Sequence, residues 1–242
     1  MTETTTPAPA PGLLSRLIGV VFSPKATFQK IVPAPKVLGA IVVTGLVIGL
    51  SQGLPRLTES GKQAALDAQV KQTERFTGQP VTDEQYARMR QFAPITAYVT
   101  MVASPIFVAV FTLLFSGLYF VIFNVILGGT ASFKQVASVV AHSSIITALG
   151  AAIGAPVQYF QGTANPMGPF TLGALLPMLD ENSFLARFLG FLGVFSIWGV
   201  IVTAIGLAVL YRRKTGSIAI GLLLLTAAFA SVGATIAGIF TR

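Results

Sequence analysis

The chain has no cysteine, one histidine and one tryptophan, and only 10% of its 242 residues are charged. An average soluble domain carries about 25% charged residues. Each shortage removes a class of function. Without cysteine there are no disulfides and no thiolate metal sites, and the redox compartment leaves no mark on the sequence. A single histidine forms no His-rich metal cluster. Hydrolytic catalysis needs a nucleophile, a base and an orienting group, or a metal with several ligands. The apolar stretches hold one histidine, no carboxylate and no lysine. The expectation is a protein that is not an enzyme and carries no cofactor. Coupled transport usually leaves ionisable residues inside the membrane, so their scarcity argues against a channel or transporter.

What the chain has in abundance is apolar surface: 53% hydrophobic residues and a mean hydropathy of +0.77. Five stretches run from Val37 to Leu54, Ile95 to Leu127, Val136 to Val157, Phe188 to Tyr211 and Ser217 to Phe240. A hydrocarbon core of about 30 Å needs about 20 apolar residues as helix, because every backbone polar group must be satisfied within the segment. The expected fold class is an all-α integral membrane protein with five transmembrane helices, one membrane domain over residues 13–242. Residues 1–12, rich in Thr, Ala and Pro, read as a disordered tail. No small-residue cleavage site follows the first stretch, so no secretory signal is read.

The net charge of +8 lies at the ends of the spans, where lysine and arginine set topology and meet anionic headgroups. No basic, aromatic-interleaved soluble face exists to bind nucleic acid. With the N-terminus inside, the inner segments collect Arg16, Lys25, Lys30, Lys36, Lys134, Arg212, Arg213 and Lys214, with Glu3 as their only acid. The outer segments hold as many bases, so raw counts tie. The short connector Arg212-Arg213-Lys214 decides for a cytoplasmic N-terminus and an outer C-terminus.

Leu13 to Phe22 is amphipathic, with Leu13, Leu14, Leu17, Ile18, Val21 and Phe22 on one half and Ser15, Arg16 and Gly19 opposite. Ser23-Pro24 reads as an N-cap with proline at the first helical position. In the helix that follows, Phe28, Ile31 and Val32 share one side and Lys25, Gln29 and Lys30 the other. Two interfacial helices on the inner leaflet are expected, and packing under the bundle is the compatible alternative. Arg16, Lys25, Phe28, Lys30, Arg212, Arg213 and Lys214 are the candidate headgroup contacts.

Pro55 to Pro94 is the main water-exposed segment. Leu57 to Phe76 is expected to be helical up to Gly78 and Pro80. Thr82-Asp83-Glu84-Gln85 fits a capping box and predicts a helix over Asp83 to Phe92. Pro105 predicts a kink in the second span, and Gly128-Gly129 ends it. Met167 to Leu179 is apolar but too short to cross, so it reads as interfacial or re-entrant. His142 is the one ionisable group well inside a span. Two readings stay open: a titrating or headgroup-binding site, and a neutral imidazole bonded across to Asn124 or Ser116. Gly45, Gly49 and Gly53 form a double G-x-x-x-G, Gly150 and Gly154 another, and Gly193, Gly199 and Gly206 recur on the fourth span. Such stripes let helix backbones approach, within the monomer or at a partner face. Trp198 lies too deep for an interfacial belt, so its N–H should seek a partner in the bundle.

Three stretches, in this order, resemble the bacterial branch of the Yip family of five-span membrane proteins. They are Phe22-Ser23-Pro24-Lys25-Ala26-Thr27-Phe28 with Ile31, then Gly128-Gly129-Thr130-Ala131-Ser132-Phe133-Lys134-Gln135, then Phe195-Ser196-Ile197-Trp198 with Gly206-Leu207 and the basic turn. Many relatives carry an acidic residue where this chain has Gly193. The Asp-Leu-Tyr-Gly-Pro motif of the eukaryotic branch is absent, so Rab binding is not carried over. The resemblance implies a five-span helical fold in a bacterial cytoplasmic membrane and no known enzymatic activity. It further implies a scaffold or accessory role, in some relatives beside transport systems, with membrane lipids and other membrane proteins as partners. Lipid binding or lipid movement is the alternative function.

Overall fold

The structure is a computed structural model that describes residues 12–165, 168–176, 178–180 and 183–239. The expected tail at 1–12, apart from Gly12, lies outside the described residues, as do Pro166, Met167, Pro177, Glu181 and the end of the last span at Phe240. The elements are α1 (Leu13–Phe22), α2 (Pro24–Ile31), α3 (Leu38–Gly53), α4 (Glu59–Thr77), α5 (Asp83–Phe120), α6 (Phe133–Ser143), α7 (Ile145–Gln161), α8 (Phe184–Phe191), α9 (Val194–Tyr211) and α10 (Thr215–Ile239). A π-turn at Val121–Ile126 continues α5. No strand occurs among the described residues, only one isolated bridge between Thr171 and Gly193.

Five helical units are long and apolar enough to cross a membrane: α3, α5 with its π-turn, α6–α7, α9 and α10. Helix α3 packs on α5 and α7, α7 on α9, and α9 on α10. Half of the α6–α7 window is buried inside the protein, against 22% for α5 and α10. The α6–α7 unit is therefore the central span, and α5 and α10 are the flanks that lipid solvates. Below, the near side is the side of the membrane that carries α1 and α2, and the far side is the opposite one.

Two large differences from the sequence expectation concern where elements begin and end. The expected helix at Asp83 and the second span are one helix, running through Pro94 and Pro105. With its π-turn it spans 44 residues, about 66 Å at 1.5 Å per residue. Roughly half of it therefore stands clear of a 30 Å hydrocarbon core. The capping box forms as expected: Gln85 N–H donates to Thr82 Oγ1 at 3.3 Å, and Thr82 N–H to Gln85 Oε1 at 3.0 Å. The fourth span starts at Val194 instead of Phe188, because Leu192 and Gly193 adopt extended backbone and leave α8 as a separate helix. Met167 to Leu179 is made, where described, of turns docked on the start of α9. Leu172 N–H donates to Leu192 O at 2.7 Å, and Val194 N–H to Phe170 O at 3.0 Å.

On the far side α4 lies against α5. Thr58 caps α4, and Gly78, at φ 67°, ends it in the left-handed conformation that a Cβ disfavours. Leu66 and Ala64 are buried, and Arg56 Nη1 donates to Thr100 Oγ1 at 3.2 Å. Lys62 Nζ donates to Glu59 at 2.8 Å, and that bond and charge hold the Glu59 carboxyl below its ordinary range.

Candidate functional site

The glycine stripe of α3 is consumed inside the chain. Pro105 lacks an N–H, so the Met101 carbonyl one turn earlier loses its helical donor. Gly49 covers that carbonyl: a Cβ there would sit 2.7 Å from Met101 O. A Cβ on Gly45 would overlap the Pro105 backbone, and one on Gly53 would strike the Met101 side chain. Gly45, Gly49 and Gly53 are thus the α3–α5 seam and do not form an external partner face. Gly199 contacts Ile146 at ordinary distance, 3.8 Å from an added Cβ. Gly193 caps α9, donating to Ser196 Oγ at 2.9 Å. Trp198 stacks obliquely on Phe195 at 6.0 Å, and its N–H has no hydrogen bond among the described residues.

The near side is a compact node built around α2. Phe28, placed by sequence among the headgroup contacts, is fully buried. Its ring fills the space that Gly206 leaves on α9, 3.1 Å from where a Cβ would stand, beside Val139 of α6. Ile31 and Thr27 are buried with it, so α2 spends its apolar face on the bundle. Ser23 stands at the N-cap before Pro24, yet its side chain makes no capping bond. Gln135, which closes a capping box with Ser132, also donates through Nε2 to Val32 O at 3.2 Å. Ser138 Oγ donates to Lys36 O at 3.3 Å. These bonds tie the loop before α3 to the first turns of α6.

Beside this node the basic turn docks on the Gly-Gly loop. Gly128 takes φ 68°, and Gly129 lies so close to the Tyr211 ring that a Cβ would stand 2.7 Å away. Tyr211 stacks on Phe123 at 4.9 Å, and Arg213 donates to Leu127 O at 3.0 Å. Asn124 Nδ2 donates to Ala131 O at 2.6 Å, across the loop and not to His142. Lys25, Lys30, Arg212 and Lys214 are exposed, as headgroup contacts require.

Arg16 is the main departure. The helical wheel placed it opposite the apolar stripe, but it is only 8% exposed, facing the bundle with Leu17 and Val20. The exposed stripe of α1 is instead Leu14, Ile18 and Phe22. Leu17 packs with Ala40, Ile41 and Ala141, which brings Arg16 into electrostatic range of His142. His142 is fully buried, and its Nδ1 bonds Ser138 O at 2.8 Å within its own helix. A carbonyl only accepts, so Nδ1 carries the proton and the neutral ring presents Nε2 as an acceptor. Arg16 Nε, His142 Nε2 and Ser143 Oγ are all buried without a partner, as are Thr44 Oγ1 and Ser116 Oγ on the helices packed beside α6.

At the far end, a cavity of about 250 Å³ lies between α3, α7 and the start of α9. Ser51, Gln158, Thr147, Thr171 and Ser196 supply its polar wall. Gly150 and Gly154 shape it by admitting Phe195 and Pro169, with added Cβ atoms 2.8 and 2.9 Å from them. Sequence reading missed this cavity because residues 163–171 carry no motif. Docking of Phe170 and Thr171 on Gly193 and Val194 forms one wall.

Five apolar crossing units and no described strand define an all-α multi-pass membrane protein. A family profile described as the Yip1 domain matches residues 18–236, and the chain belongs to that family. It is similar to "Membrane protein YknW" of Bacillus subtilis (strain 168), with 27% identity over 209 residues, 84% of this chain and 79% of that one. No solved structure matches.

Proposed function

We propose that this protein is a non-enzymatic membrane scaffold or accessory factor that organises or assists other membrane proteins from the cytoplasmic membrane of a bacterium. One observation carries the reading. Helix α5 is a continuous rod from the near-side π-turn to a water-exposed end that α4 braces. A rod of that length, with an open lipid-facing flank, offers one rigid surface to both the membrane and soluble parts of a neighbour. Residues Ile95, Val99, Val102, Ile106, Val110 and Leu113 recur on one exposed stripe of it. The near side faces the cytoplasm in this reading, since its eight bases meet one acid.

The test is purification from the native membrane into lipid nanodiscs, then mass spectrometry of everything bound. A stoichiometric second membrane protein, lost when Val102 and Ile106 are both changed to Ser, is the expected result. A solitary protein in native lipid counts against the reading. The variant Gly49→Leu is unsuited to this purpose, because it breaks the α3–α5 seam itself. A second reading, binding of anionic lipid, is favoured by the unpartnered guanidinium of Arg16.

A further inference from the structure

The near-side polar cluster extends that second reading to a particular ligand chemistry. Arg16 presents donors and a full positive charge, and no described residue bonds or pairs with it. Ser143 Oγ adds a hydroxyl that donates or accepts, 3% exposed and also without a partner. In the neutral tautomer, which the Nδ1 bond to Ser138 selects, His142 Nε2 adds one acceptor. The cluster lies where the central span is interrupted: α6 ends at Ser143 and α7 begins at Ile145, with the Ser144 hydroxyl turned back to Ala141 O at 2.7 Å. Interrupted membrane helices are a common setting for polar ligands. Residue 142 lies nine residues beyond Phe133, about 14 Å along the helix. Helix α1, with Leu14, Ile18 and Phe22 exposed on the same helix as Arg16, offers acyl-chain contacts next to that guanidinium.

Arg16 Nε is sealed off without a partner and no described carboxylate pairs with the guanidinium, so an anion is the complementary ligand. Arg16 and Ser143 suit a phosphate, and the His142 lone pair suits a hydroxyl donor. We propose that Arg16, Ser143 and His142 form a binding site for a phosphate ester bearing a free hydroxyl, the chemistry of a polyol phospholipid headgroup or of a soluble glycerol phosphate. Arg16 and Ser143 hold the phosphate oxygens, and His142 Nε2 accepts from the headgroup hydroxyl. This assignment rests on the lipid-binding reading and is independent of any partner on α5.

The experiment uses the full chain in nanodiscs of phosphatidylcholine with or without phosphatidylglycerol. Bound lipid is counted by native mass spectrometry, and unfolding is followed thermally. The wild type is expected to retain phosphatidylglycerol at least tenfold over its bulk share and to unfold at higher temperature when it is present. Arg16→Gln returns retention to the bulk ratio, whereas Lys71→Gln, at an exposed base of α4 on the far side, changes it less than twofold. His142→Phe removes the preference for phosphatidylglycerol over phosphatidic acid, which lacks the headgroup hydroxyl. If glycerol 3-phosphate raises the unfolding temperature in plain phosphatidylcholine and displaces the lipid, the soluble ester is the occupant and the site chemistry stands. Should Arg16→Gln fail to fold, the wild-type responses to phosphatidylglycerol and glycerol 3-phosphate still decide. The proposal is overturned if neither compound is retained or stabilises the protein, or if Arg16→Gln retains lipid as the wild type does. It is equally overturned if a protein carboxylate crosslinks to position 16.

Discussion

At the scale of single residues, packing inside this bundle is set by where a Cβ is absent. Gly45 lies against the Pro105 backbone, while Gly117, on α5, has nothing within 4 Å of an added Cβ. Gly45→Ala is therefore expected to destabilise by about 1–3 kcal/mol through overpacking. Gly117→Ala should stabilise by about 0.5–1 kcal/mol through helix propensity alone. Thermal unfolding of the two variants in one detergent checks the contrast, and equal shifts would contradict it. The glycine spacing on α3 was legible in the sequence; its partner was not. A G-x-x-x-G stripe states that something approaches closely, and only the tertiary arrangement shows that Pro105 and the freed Met101 carbonyl are what it meets. Phe28 and Arg16 were misread for a related reason. A helical wheel sorts residues into two faces, whereas an interfacial helix has three neighbours: water, lipid and protein. Helix α1 leaves Leu14, Ile18 and Phe22 exposed and turns Arg16 inward. His142 shows the limit of pairing by residue type, since its bond goes to a backbone carbonyl of its own helix.

At the scale of elements, crossing units were legible and their ends were not. Hydropathy over a window reports burial in lipid or protein alike, so all five stretches were found. It cannot see that Pro94, toward the far side, is accommodated within a continuing helix. Nor does it see that extended backbone at Leu192 and Gly193 parts α8 from α9. The capping box was read correctly at Thr82, because that signal is local and chemical. The continuity of α5 has a direct test, made simple by the absence of native cysteine. Spin labels on Glu84→Cys and Ile106→Cys lie 22 residues apart in the numbering, about 33 Å along an unbroken helix. One narrow distribution near that distance is expected from pulsed dipolar spectroscopy. A broad or much shorter one would show a hinge at Pro94 or Pro105.

At the scale of the whole molecule, charge is distributed more unequally than its total suggests. Among the described residues the near side carries eight bases and no acid, and the far side seven bases with six acids. That asymmetry predicts orientation. A membrane-impermeant maleimide should label Ser60→Cys in intact cells and reach Thr130→Cys only after permeabilisation; the reverse pattern would invert the topology. The family was recognisable from three short motifs in order, and the structure gives each a physical task. Ser23-Pro24 to Phe28 seats α2 under Gly206. The Gly-Gly loop receives Tyr211 and Arg213, and Phe195 fills the gap left by Gly150. In the scaffold reading proposed above, neighbouring proteins are expected along the α5 rod. The most direct measurement is site-specific photocrosslinking in the native membrane, from Val102 within the bilayer and from Gln91 on the exposed part of α5. The account expects both positions to yield the same protein adduct, absent when the crosslinker is placed at Val232 on α10. Adducts to lipid alone, or a spectrum of proteins identical at all three positions, would contradict it.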